Sequence, residues 1–152
     1  MKGWLLDTNV VASLSSVGGA PSVKTWASAQ DEDRLYLSIL TLAEFDQGIA
    51  RLNDDDTARA RYQTRRDALE DRFRGRILSL DDAAVRLWGE ISGRVRPDSG
   101  HPPPVIDTLI AATAICASLY LVTRNVRDVA QSGALVFNPW TGDPRDFALT
   151  TP

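Results

Sequence analysis

The chain has one cysteine and one histidine in 152 residues, and its only lysines are Lys2 and Lys24. A single thiol excludes an intrachain disulfide framework. Cys116 lies among Ala114, Ile115, Ala117 and Leu119, where it is expected to be a buried, unreactive core group. A single His101 excludes the paired-histidine zinc site of HExxH enzymes. No G-x-S-x-G elbow accompanies it to build a serine triad, and its place before three prolines marks a loop residue. Gly18-Gly19 lacks both the P-loop and the dinucleotide fingerprint, so neither ATP nor NAD is indicated. The chain offers Asp7-Thr8-Asn9 where an aspartyl-nucleophile hydrolase of small phosphate esters would carry D-x-D, which argues against that class. No apolar run reaches the roughly 18–20 residues that span a bilayer; the stretch from Leu109 to Val122 is interrupted by Thr113, Ser118 and Tyr120. No charged n-region with a long apolar segment opens the chain, so no signal peptide and a cytoplasmic location are expected. Repeats and low-complexity tracts are missing as well.

What is present is ordinary for a globular protein: 43% apolar and 24% charged residues, at a length that suits one domain over residues 1–152. A net charge of −3 gives no general pull toward nucleic acid. The distribution is more telling. Eight of the arginines fall between Arg51 and Arg76. Guanidinium forks suit phosphates, but the interleaved Asp67, Glu70 and Asp71 equally suit a solvated helix face of i,i+4 ion pairs.

Periodicity alternates short strands with helices. Strands are expected at Gly3–Leu6, Leu35–Ile39, Arg76–Leu80, Tyr120–Thr123 and Ala134–Phe137. Helices are expected at Thr8–Leu14, Pro21–Gln30 with proline at its first position, Thr41–Leu52, Asp54–Arg74, from a Ser79 or Asp81 cap to Arg94, and Pro104–Leu119, with a short helix or turn at Val126–Ser132. In the Asp54–Arg74 helix, Ala58, Tyr62, Leu69 and Phe73 share the apolar side; the Pro104–Leu119 helix is apolar on more than one face and should be buried. Arg96–Pro103 reads as a loop, and the tail after Asn138-Pro139-Trp140 as irregular. Strand–helix alternation implies right-handed crossovers and an α/β/α sandwich around a short-stranded, mostly parallel twisted sheet.

In such a sheet the carboxyl ends of the strands share one edge, where ligands bind. Asp7, Glu44, Asp107 and Asp128 each lie just past an apolar strand-like run or in the first turn of a helix. Acids far apart in sequence can converge there, and clustered carboxylates repel unless a hard cation such as Mg²⁺ or Mn²⁺ neutralises them. Each acid also has a plain structural reading. Asp7 can be a helix N-cap, although Thr8 and Asn9 add more polar groups than a cap needs. Thr41-Leu42-Ala43-Glu44 fits a capping box, with Glu44 returning to the N-cap N–H. Asp107 complements the helix macrodipole, yet its neighbours Ile106, Leu109, Ile110 and Ala111 leave a carboxylate in need of a partner. Asn125 and Asp128 compete for one role: Asn125 is nearer the strand's end, and Asp128, one turn on, can equally be a plain surface acid.

Taken in order, LLDTN, TLAEFDQGI and DTLIAATA followed by LYLVTRNVRD resemble the PIN-domain nucleases, and among them the VapC-type toxins of bacterial toxin–antitoxin pairs. GALVFNPW is similar to the FitB-like branch. Each motif alone is weak; four in this order across nearly the whole chain are specific. The resemblance implies an acidic pocket holding Mg²⁺ or Mn²⁺ and cleavage of RNA phosphodiester bonds. It carries catalytic roles to Asp7, Glu44 and Asp107, and recurrent polar positions to Asn9 and Thr123. Where the family often has a fourth acid, this chain has Asn125, and Asp128 matches an acid seen slightly later. The resemblance further implies a homodimer, inhibition by a cognate antitoxin, and contact with operator DNA only through that antitoxin.

The expected mechanism is metal-assisted hydrolysis, with Asp7 and Asp107 as ligands and Glu44 or Asp128 free to orient water. Thr8, Asn9, Thr123 and Asn125 would support the carboxylates, and Arg51–Arg76 with Arg124 or Arg127 would hold the RNA backbone. The rival expectation is a non-catalytic partner subunit of an antitoxin-based DNA-binding repressor, in which the acids are only caps.

Overall fold

The structure, a computed structural model, describes residues 1–94 and 104–150. Five parallel strands form one sheet in the order β3-β2-β1-β4-β5, namely Trp4–Leu6 (β1), Leu35–Ser38 (β2), Ile77–Leu78 (β3), Tyr120–Val122 (β4) and Val136–Phe137 (β5). The helices are Thr8–Ser15 (α1), Pro21–Ser28 (α2), Ile39–Ala50 (α3), Ala58–Arg72 (α4), Asp82–Arg94 (α5), Val105–Cys116 (α6) and Val126–Val129 (α7).

Alternation along each strand sorts the side chains into two layers. Trp4, Leu6, Leu35, Leu37, Tyr120, Val122 and Phe137 face a core closed by α1 and α2 together with Leu42 of α3, Leu69 of α4 and Phe73. Leu5 and Leu121 face the opposite layer, where Ile110, Ala111 and Ala114 of α6 and Val129 of α7 close over them. The alanines let α6 lie near the sheet, and α5 covers its far side through a hydrogen bond of 3.1 Å from Trp88 Nε1 to Thr108 Oγ1. This is the two-faced burial expected of an apolar helix. Trp4 and Trp26 meet edge to face at 5.3 Å, with Phe137 5.5 Å from Trp4, at the centre of the first layer. Gly3 precedes β1 because a Cβ there would lie 2.4 Å from the Arg34 carbonyl oxygen.

Several boundaries differ from the sequence expectation for local reasons. β2 stops at Ser38, whose side chain accepts from the Leu40 N–H at 3.1 Å and opens α3 two residues before Thr41. The capping box is therefore not formed: Thr41 is fully buried inside the helix, and Glu44 is released from a capping role. α4 begins at Ala58, because Asp56 accepts from its N–H at 2.8 Å in the preceding turn, and Tyr62 is exposed rather than part of the apolar side. Of the two caps considered for α5, Asp81 acts, accepting from Ala84 N–H at 2.9 Å. α6 ends at Cys116, since Ser118 adopts a φ of 55° to turn the chain into β4. This leaves Cys116 exposed, contrary to the expected burial; partial desolvation and the Asp81 carboxylate still raise its pKa, which disfavours the reactive thiolate. Two short 3₁₀ turns, Glu32–Arg34 and Pro144–Asp146, had no expected counterpart. The expected loop Arg96–Pro103, including His101, lies outside the described residues.

Candidate functional site

The strand order reverses its direction of growth at β1: β2 and β3 extend to one side, β4 and β5 to the other. A crevice at the carboxyl ends of β1 and β4 is where an open parallel sheet binds ligands. Asp7 follows β1 and Thr123 follows β4, and the two are joined across this crevice by a hydrogen bond of 2.6 Å from Thr123 Oγ1 to Asp7 Oδ2.

Asp7 is both a cap and a site residue. Its Oδ1 accepts from the Thr8 N–H at 2.8 Å as the N-cap of α1, and its Oδ2 accepts from Asn9 Nδ2 at 2.7 Å as well as from Thr123. Only 5% of its surface is exposed. A buried carboxylate is tolerated because three donors hold it. Asn9 also donates to Thr123 at 3.1 Å and accepts from the Arg124 N–H at 3.1 Å, so one amide ties α1 to the end of β4. Thr8 turns its hydroxyl the other way and donates to Glu44, with Thr41 Oγ1 at 3.5 Å. Glu44 is thereby drawn from α3 toward the Asp7 end of the crevice.

Asp107, in the first turn of α6, is half-buried, and its pKa is pushed up to about 6. Burial is the main cause; the negative charges of Asp7, Asp128 and Glu44 follow in that order, and a hydrogen bond from the Asn125 side chain opposes them. The four acids thus stand within electrostatic reach of one point. Asn125 is the N-cap position of α7 but makes no cap bond with its side chain, which lies near enough to Asp107 to favour the ionised carboxyl. Asp128 is exposed on α7, yet its charge is felt at Asp107 more than that of Glu44.

These donors suit a hard divalent cation. They are all oxygen, and their mutual repulsion is what a cation relieves. As oriented, no group of three or more acidic side chains among the described residues is arranged to hold an ion. Mg²⁺ does not require one, since it keeps several waters and is commonly held by one or two carboxylates with substrate phosphate.

Most of the long arginine run is paired rather than free. Arg59, Arg66, Arg72, Arg74 and Arg76 are all in ion pairs, with Asp54, with Asp46 and Glu70, with Glu32, with Asp71 and again with Glu32 respectively. For these the solvated-face reading holds. Thr41 went unnoticed as a neighbour of the site; the serine before Ile39 was the available signal, because it moves the helix start and turns Thr41 inward.

The sequence profile of the PIN domain family matches residues 4–130. The chain belongs to the PIN domain family. It is 31% identical over 137 residues to the VapC ribonuclease Y4jK of Sinorhizobium fredii, covering 90% of this chain and 96% of that protein. Toxin FitB of Neisseria gonorrhoeae is 29% identical over 136 residues, covering 90% of this chain and 97% of the relative. Among solved structures, FitAB bound to an IR36 DNA fragment superposes with a TM-score of 0.80 at 28% identity, over 92% of this chain and 97% of the other. No helix among the described residues is long and apolar enough to cross a membrane.

Proposed function

We propose that this chain is a divalent-metal-dependent endoribonuclease acting as the toxin of a toxin–antitoxin pair in the cytoplasm. The observation that carries the reading is Asp107: a half-buried carboxyl raised to about 6 by burial and by the charges of three other acids. A fold keeps such a repelling cluster at a strand-end crevice only at a cost in stability, and perturbed carboxyls of this kind gather at functional sites. The names of the relatives, a ribonuclease and a toxin, support the activity and the biological role.

Asp7 and Asp107 would hold the ion, Mg²⁺ or Mn²⁺. When bound, it supplies charge neutralisation at the scissile phosphate and a more acidic water. The chain's own groups perform the rest. Thr8, Asn9 and Thr123 hold Asp7 in one orientation from three directions. Asn125, beside Asp107, favours its ionised form. Glu44, fixed by Thr8, is the acid suited to orient a water and accept its proton. Asp128, exposed at the rim, completes the charge of the pocket. The rival reading, in which the chain only partners an antitoxin, needs the acids to be plain caps. Glu44 does not cap α3, and Asp107 feels the charges of three other acids.

A cognate antitoxin would pair with this chain and carry the complex to operator DNA, as the DNA-bound FitAB structure suggests by likeness; the toxin itself would be a homodimer. The test is cleavage of an RNA panel by purified protein. Activity should need Mg²⁺ or Mn²⁺, stop with EDTA and be absent in Asp7→Asn. Cleavage that persists in EDTA, or in Asp7→Asn, would overturn the metal-nuclease reading.

A further inference from the structure

Arg124 differs from the ion-paired arginines between Arg59 and Arg76. Its peptide is fixed at the lip of the crevice: the preceding Thr123 donates to Asp7, and the Arg124 N–H bonds to Asn9 at 3.1 Å. Its side chain is exposed and makes no ion pair among the described residues, although four carboxylates cluster nearby. Instead, the guanidinium carbon lies over the ring of Trp140, 5.5 Å from its centroid.

The turn that presents Trp140 is closely built. Asn138 Oδ1 accepts from the Trp140 N–H at 2.9 Å, and the Asn138 carbonyl accepts from Gly142 at 2.7 Å. Gly142 has no room for a side chain, since a Cβ there would lie 2.8 Å from that carbonyl oxygen. Trp140 packs one side against the aromatic core around Trp4 and keeps another available to Arg124. The Thr123 N–H also bonds to the Phe137 carbonyl at 3.0 Å, so the Arg124 and Trp140 segments are braced against each other at the ends of β4 and β5.

We infer that Arg124, held in place by Trp140, is the cation that binds the RNA backbone beside the reacting phosphate. A guanidinium over an indole ring keeps the N–H donors that point away from the ring for a phosphate, and the ring limits its freedom before the ligand arrives. An arginine paired with a carboxylate would have to break that pair first. This inference rests on the ribonuclease reading. It makes Arg124 a substrate-binding residue and Trp140 a positioning residue, neither acting on the scissile bond.

The test uses the full chain in the Asp107→Asn background, which prevents cleavage, and a fluorescein-labelled single-stranded RNA of mixed sequence. Affinity is followed against salt. Adding Arg124→Gln should weaken binding by about three- to ten-fold and lower the slope of log affinity against log salt by about one contact. Arg124→Lys should keep the slope and recover part of the affinity, because the charge remains without the guanidinium fork. Trp140→Phe should weaken binding about two-fold with the slope unchanged, since it weakens the platform and leaves the charge. Unchanged affinity and slope in Arg124→Gln, with the parent binding RNA, would sink the inference and leave the ribonuclease reading standing. No effect of Trp140→Phe beside a clear effect of Arg124→Gln would remove the positioning role. A parent that binds no RNA, with a wild type that cleaves none, would overturn both.

Discussion

Two regions of this chain are rich in charge and use it in opposite ways. On α4, acids and arginines alternate in solvent and most of them are paired: Arg66 with Asp46 and Glu70, Arg72 with Glu32, and Asp71 with Arg74 just past the helix, while Arg61 and Arg65 lie over the ring of Tyr62. At the crevice between β1 and β4, four acids gather with no basic side chain in ion-pair contact among the described residues. Asp7 and Glu44 are held by neutral donors, the Thr8 N–H and the side chains of Thr8, Asn9 and Thr123. Paired surface charges contribute roughly 0–1 kcal/mol each and can be rearranged freely. Half-buried like charges oppose folding and are kept for what they can bind. Abundance of charge is therefore a poor guide to a site; the sign of neighbouring charges and the kind of hydrogen-bond donor around them are better ones.

The largest effect should come from removing a carboxylate at the centre of the crevice. Asp107→Asn keeps the side-chain volume and should bring RNA cleavage below detection while the far-ultraviolet circular dichroism is unchanged. Cleavage at the wild-type rate would place the chemistry elsewhere. Next is Thr123→Val, which removes the donor that bridges β4 to Asp7 and the acceptor for the Asn125 N–H at 3.0 Å. Leaving a buried carboxylate oxygen short of a partner should cost about 1–3 kcal/mol, read from the urea midpoint. A midpoint that does not move would mean that Asn9 and Thr8 alone suffice.

The pH dependence of stability sharpens the same contrast. Asp107 ionises near 6 when folded, against an ordinary value of 3.8. Between these values the folded state holds a proton that the unfolded chain has lost. The group's contribution is thus most favourable to folding at low pH and turns against it as pH rises through about 6. Without divalent metal, Asp107→Asn should be more stable than wild type at pH 7.5 by about 1 kcal/mol, a figure discounted for the half-exposed carboxyl, with the difference shrinking toward pH 4.5. A gap independent of pH would show that Asp107 is not the strained acid. A smaller effect belongs to Asp128→Asn. Exposed at the rim, it should lower Mg²⁺ affinity about three- to five-fold by titration calorimetry, because affinity for hard cations follows the ligand charge. Asn125→Asp should act in the opposite direction only if the new acid can release Asp107.

The ends of β1 and β4 were legible from the chain because two local signals coincide there: a short apolar run, then several small polar residues. LLDTN and LVTRN both show it, and both supply side chains to the crevice. Asp107 was legible because a carboxylate among Ile106, Leu109 and Ile110 is locally inconsistent. Glu44 was ambiguous, since TLAE is a valid capping box by itself; what decides against it is Ser38, which starts the helix earlier, a competition between two caps that spacing alone does not resolve. The exposure of Cys116 and Tyr62 was misjudged because an apolar periodicity gives a face, not the point where the covering element stops. The strand order, which creates the crevice, depends on pairing between residues as distant as Trp4 and Tyr120, and no local pattern carries it.

The smallest effect should be found on α4, and its smallness is what the comparison demands. Arg66 reaches Asp46 of α3 at 2.7 Å and also contacts Glu70 one turn along its own helix. Glu70→Gln leaves the link between helices intact, so it should cost no more than about 0.5 kcal/mol, the ordinary worth of an i,i+4 pair. Asp46→Asn breaks the link but keeps a hydrogen-bonding amide, and should cost about 0.5–1 kcal/mol. Both losses should fade in 0.5 M salt, because the carboxylates are exposed and screened. Neither variant should change RNA cleavage. If Glu70→Gln instead costs several kcal/mol, or abolishes cleavage with the fold intact, the charges of α4 are not a solvated face, and the division between paired surface charge and unpaired functional charge fails.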